Sequence, residues 1–109
     1  MKPTNIFADL PSALPAELFE TLLQHNDLKL ERIISTGQAT PPGTWYDQET
    51  HEWVILLRGR AGLRFEGETA VREMAAGDYL HIPAHQRHRV EWTAPREATV
   101  WLALHYSED

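Results

Sequence analysis

The chain has 109 residues, 42% hydrophobic and 24% charged, a globular composition that fills one domain and leaves no room for a second catalytic lobe. Its 10 Lys and Arg against 16 Asp and Glu give a net charge of −6, which argues against attraction to a phosphate backbone and sets nucleic acid aside as a partner. The absence of cysteine removes disulfides, thiolate nucleophiles and zinc–thiolate sites together, so any metal would rest on His, Asp and Glu.

Residues 1–26 read as an N-terminal extension, and residues 27–109 as the body of the domain. The opening segment lacks the apolar stretch of a signal peptide and the chain has no run of about 18 apolar residues, which points to a cytoplasmic protein with no membrane partner. Leu14, Leu18 and Leu22, with Phe19 and Leu23, recur at helical spacing behind Pro15, and Glu17 and Glu20 suit the positive end of a helix. This predicts one short helix over about residues 15–24. Leu28–Ser35 (LKLERIIS) reads as the first strand.

From Gly43 onward turn signals recur at Pro42-Gly43, Gly59, Gly67, Gly77-Asp78, Pro83-Ala84 and Ala94-Pro95. Gaps of about 8 to 12 residues between turns are the mark of an all-β sandwich or barrel. Leu63 and Phe65, then Leu80 and Ile82, alternate with polar neighbours, so those strands have one face in and one out. EWVILL (52–57) and VWLAL (100–104) are apolar on both faces and need cover on both sides. One short helix cannot supply all of it, which predicts a homodimer.

Chemistry is sought among the six histidines, His25, His51, His81, His85, His88 and His105. In RHRVEWT, His88 shares a pleat face with Val90 and Trp92, whereas Arg87, Arg89 and Glu91 share the other, expected to face water; His88 therefore points inward. His81 falls outward with Tyr79, and His85 and His25 are expected at the surface. A buried imidazole needs polar partners, and Asp47, Glu49 and Glu52 lie just before an apolar strand. Alternation leaves the direction of Glu52 open, because Val54 and Leu56 on its face are matched by Trp53, Ile55 and Leu57 on the other. Most of the four tryptophans read as core, and the arginines interleaved with glutamates as a solvated strand face.

GTWYDQETHEWVILLRG followed by GDYLHIPAHQRH resembles the two motifs of the cupin superfamily. In the first, a paired HxH precedes Glu, with Gly after six further residues, a spacing kept by Glu52 and Gly59; in the second, Gly, Pro and His are spaced as Gly77, Pro83 and His88. The positions of the first-motif histidines hold Trp45 and Asp47, or with a spacer one residue shorter Tyr46 and Gln48. The resemblance implies an antiparallel jelly-roll β-barrel and an inward Glu52. It also implies a small-molecule ligand held by Glu52, His88 and Tyr46, to which the shared pleat face with His88 adds Trp92. It further implies a divalent metal (manganese, iron or zinc) on Glu52 and His88, with Asp47 or Gln48 completing the set less tightly than three imidazoles would. Metal-assisted chemistry, metal-free binding and metal-free acid–base catalysis by Glu52 and His88 are the functions it leaves open.

Overall fold

The closely spaced turns divide the chain into eight strands, which the computed structural model, describing residues 1–107, arranges in two antiparallel sheets. In chain order they are β1 (Leu18–His25), β2 (Leu28–Ser35), β3 (His51–Arg58), β4 (Arg60–Phe65), β5 (Arg72–Ala75), β6 (Tyr79–Ile82), β7 (His88–Thr93) and β8 (Thr99–Tyr106). The larger sheet has the order β1-β2-β8-β3-β6 and the smaller β5-β4-β7. All six ladders are antiparallel, and the inner faces meet in a core that includes Val54, Leu56, Leu63, Met74, Ile82 and Trp101. Among the described residues no helix is long and apolar enough to cross a membrane.

The expected helix over residues 15–24 is not formed; Leu18–His25 is strand β1, paired with β2 through a hairpin whose turn residue Asn26 has φ 52. Two facts explain the difference. The backbone edge of β2 needs a ladder partner, a demand made by the sheet and invisible in local periodicity. A register shift between Thr21 and Leu23 leaves Leu22 as an extra residue, so the apolar positions of β1 never show a clean period of two. Phe19 is left 51% exposed and Leu23 53%, where a docked helix would have buried them. The preceding segment is pinned instead by Arg32, whose Nη1 donates to the carbonyls of Ile6 at 2.9 Å and Ala8 at 2.8 Å.

β3 and β8 lie at the centre of the larger sheet and set its inner rows. Leu56 stands opposite Trp101, Val54 opposite Ala103, and Glu52 opposite His105. The row runs from aliphatic at one end of the barrel to ionisable at the other. At the packed end Leu56, Thr99, Val100 and Ile34 are all 0% exposed. Gly59, between β3 and β4, has φ +93, and a Cβ there would lie 2.7 Å from the Cα of Thr99, so both conformation and space demand glycine.

Candidate functional site

The ionisable end of the barrel encloses a cavity of about 90 Å³. Its polar wall is Glu52 from β3, His88 from β7, Glu31 from β2, His105 from β8, Tyr46 and Gln48 from the preceding loop, and Glu17 just before β1. Phe19, Ile33, Val54, Leu63, Ile82, Val90 and Trp101 form the apolar remainder.

Glu52 and His88 arrive from opposite sheets. Glu52 points inward because Val54 and Leu56, on its face, fill the core, which resolves the ambiguity of EWVILL. The residues are 7% and 5% exposed, and His88 Nε2 lies 3.7 Å from Glu52 Oε1. That separation is too long for a hydrogen bond and short enough for one ligand atom to touch both. The carbonyl of Gln86 accepts from His88 Nδ1 at 2.8 Å, which fixes the proton there and leaves the Nε2 lone pair facing the cavity.

Burial, reinforced by the negative charge of Glu31, pushes the Glu52 carboxyl up from 4.5 to about 7. Burial also lowers His88 below its ordinary 6.5; the hydrogen bond to Gln86 opposes this shift and the neighbouring His105 adds to it. The short separation invites the description of an ion pair, but both shifts favour the neutral forms. Near neutrality the pair is therefore closer to a carboxylic acid facing a free imidazole than to a salt bridge.

A loop places Tyr46. Residues 40–46 lie along the free edge of β7, where the Tyr46 amide donates to the His88 carbonyl at 2.7 Å and the Thr40 amide to Val90 at 2.9 Å. Arg89, expected in water, is 7% exposed because it clamps this loop. Its guanidinium donates to the carbonyls of Pro41 and Thr44 at 3.0 Å each and of Thr40 at 2.8 Å, and its Nε to Glu91 at 2.9 Å. The Tyr46 and His88 rings are thereby held with centroids 5.6 Å apart.

Of the residues expected at the site, Glu52, His88, Tyr46 and Gln48 line the cavity. Asp47 does not: its exposed carboxylate accepts from His85 Nδ1 at 2.9 Å, drawn outward by the alternation that sends Tyr46 inward. Trp92 does not either. The ladder between β4 and β7 shifts so that Gly62 pairs with Trp92 but Leu63 with Val90, and the extra residue Glu91 reverses the pleat. Trp92 therefore packs over Gly62, where an added Cβ would come within 2.8 Å of its Cδ1. His51, His81 and Tyr106 gather on the outer face of the larger sheet, with His81 Nε2 2.7 Å from the Tyr106 hydroxyl.

Three wall residues went unread in the sequence. Glu31 accepts from His105 Nε2 at 2.8 Å and pairs with Lys29 at 3.3 Å; Glu17 accepts from the Ser35 hydroxyl at 2.7 Å, and its burial raises its pKa. The available signal was parity. Glu31 shares a face with Ile33 and Ser35, and His105 with Ala103 and Trp101, but that face could be fixed only once β8 was placed.

The donor set is a poor fit to a resident metal. Among the described residues no three His, Asp or Glu side chains converge to hold an ion, and Asp47 faces away. Glu52 and His88 supply two strong ligands, with the weaker Gln48 amide nearby.

Two antiparallel sheets closing on a small, partly polar cavity define a jelly-roll domain. The chain belongs to the cupin domain family, whose profile matches residues 32–105. A crystal structure from Ralstonia eutropha JMP134, described as a "putative mannose-6-phosphate isomerase", is similar at 55% identity with TM-score 0.95, covering 99% of this chain and 100% of that one. A Streptococcus pyogenes protein of unknown function (20% identity, TM-score 0.76, 99% and 89% coverage) shares the fold. So does a cupin superfamily protein from Desulfitobacterium hafniense (14% identity, TM-score 0.77, 99% and 94% coverage). No match was found among curated proteins.

Proposed function

We propose that the protein binds a small polar organic molecule in the barrel cavity and exchanges protons with it through Glu52 and His88, without a resident metal. The observation that carries this reading is the 3.7 Å approach of two buried groups, one biased toward a protonated carboxyl and the other toward a neutral imidazole with Nε2 free. A carboxyl raised to about 7 beside an imidazole biased to its neutral form can give a proton to one ligand atom while taking one from its neighbour. Tyr46 and Gln48 would orient the ligand against that pair.

Proton transfer between adjacent atoms is what an isomerase needs, so that half of the Ralstonia protein's name agrees with the pair. The phosphate half finds no support, because no Lys or Arg lines the cavity. Elemental analysis of protein purified without a histidine tag or chelator tests the metal-free reading. The expected result is less than a tenth of an equivalent of any transition metal; a stoichiometric metal lost in His88→Ala would overturn it.

We further propose a cytoplasmic homodimer, formed through the outer face of the larger sheet. Trp53, Ile55, Leu102 and Leu104 leave that face apolar, and Tyr79 at its edge is 63% exposed. Light scattering at micromolar concentration checks the assembly, and a monomer would contradict it.

A further inference from the structure

The cavity has a charge pattern that narrows its ligand further than its size does. Glu17, Glu31 and Glu52 face it, and no lining residue is Lys or Arg. Lys29, in the adjoining groove that shares Glu31, Gln48 and His105 with the cavity, is engaged with Glu31 at 3.3 Å. Three arginines of the flanking strands are committed elsewhere: Arg32 to Glu20 and the N-terminal carbonyls, Arg64 to Glu91, and Arg89 to the loop at 40–44. Glu52 itself, with its side chain 9% exposed, has no hydrogen bond and only the 3.7 Å approach of His88. Its carboxyl group faces the half-open cavity, where no described group donates a hydrogen bond to it.

Opposite this acidic end the wall is aliphatic and aromatic, from Val54, Leu63, Ile82 and Val90 to Trp101, with the Tyr46 ring at the side. A phosphate or carboxylate would meet three carboxyl groups and no guanidinium or ammonium. A polyol would find donors and acceptors at one end only, and would lose its hydration against the apolar wall. A short apolar body carrying an ammonium group matches both parts, with π faces available to the cation.

We infer that the cavity takes a small organic cation, a primary ammonium on a short apolar body, with its nitrogen against Glu52 and its body on the Val54–Trp101 wall. This rests on the reading that the barrel cavity is the ligand site, and it names the ligand's chemical class. The state of Glu52 agrees: burial and the negative charge of Glu31 hold its carboxyl near 7, so a bound ammonium would pull it down and release a proton.

Calorimetry on the full chain with n-butylammonium, n-butanol and mannose 6-phosphate as probes tests the inference at pH 7.5 in two buffers of different ionisation enthalpy. Butylammonium should bind at least tenfold more tightly than butanol and release a fraction of a proton, and mannose 6-phosphate should show no binding. Glu52→Gln should weaken butylammonium at least tenfold and leave butanol unchanged. Wild-type protein provides the same test without substitution. Lowering the pH from 8 to 5 protonates Glu52, which faces Glu31, His105, His88, Tyr46 and Glu17, and should weaken butylammonium at least tenfold. Butanol binding as tightly as butylammonium, or mannose 6-phosphate binding that His88→Gln abolishes, would overturn the cation while leaving the cavity as the binding site. Failure of all three probes to perturb the Trp101 resonances would overturn both.

Discussion

At one end of the barrel β3 and β8 contribute Leu56, Thr99 and Val100, none with any exposed surface; at the other the same two strands contribute Glu52 and His105 to a cavity wall. The packed end gains from close packing and apolar burial. The cavity end carries carboxyl groups removed from water, one of them without a hydrogen bond, a costly arrangement that folding alone would not favour. The contrast teaches that stability is generated at one end of these strands and spent at the other, where the unfavourable groups are the ones the proposed function uses.

The largest effect expected is at the packed end. Gly59→Ala must adopt φ near +93 and intrude on the Thr99 backbone, so it should destabilise by about 4 kcal/mol, read as a lowered urea midpoint. A loss below about 1 kcal/mol would mean that this end yields readily and that the contrast between the ends is false.

Next comes the pH dependence of the cavity end. Glu52 is raised from 4.5 to about 7 in the folded state, so the folded protein holds its proton more tightly than the unfolded chain. Its stabilising contribution is complete below pH 4.5 and is lost as pH rises through about 7. Glu52→Gln has no charge to bury, and its advantage over wild type should grow between pH 5 and pH 8 by up to about 3 kcal/mol. Melting curves at the two pH values check this; equal shifts at both would show a solvated carboxylate.

A smaller effect separates the cavity from its frame. Arg89→Ala removes the clamp on Thr40, Pro41 and Thr44, while Glu91 keeps Arg64 at 2.8 Å. A cost of about 2 kcal/mol is expected, with increased amide exchange at Tyr46, whose position beside His88 depends on that loop.

Much of this arrangement was legible in the residues. Leu28–Ser35 is β2 as read, EWVILL and VWLAL are the central strands, and motif spacing with pleat parity brought Glu52 and His88 to one cavity. The failures share a cause. Extra residues at Leu22 and Glu91 break the period of two, so β1 looked helical and Trp92 looked inward. Arg89 looked solvated because alternation records which face a side chain is on, and nothing in it shows a loop folding back over that face. Asp47 was a candidate by motif position, but its neighbour Tyr46 took the inward place.

The smallest effect expected is on stability in His88→Gln, and its smallness is the point. His88 lines the cavity beside the Tyr46 and Phe65 rings, its ring volume is partly replaced by Gln, and its side chain's one hydrogen bond goes to the carbonyl of Gln86. Near pH 7.5 the change should stay within about 1 kcal/mol. Burial lowers the folded-state pKa of His88 below 6.5, so its neutral form supports folding above that value, and the support is lost as pH falls through the folded pKa. The variant should therefore lack part of the wild-type destabilisation on the acid side, the reverse of the limb that Glu52→Gln removes on the alkaline side. Melting temperatures from pH 5 to pH 8 for the two variants would separate those limbs. A His88→Gln protein that loses several kcal/mol at neutral pH would place the imidazole among the packing residues, and the cavity end would then be an extension of the closed one.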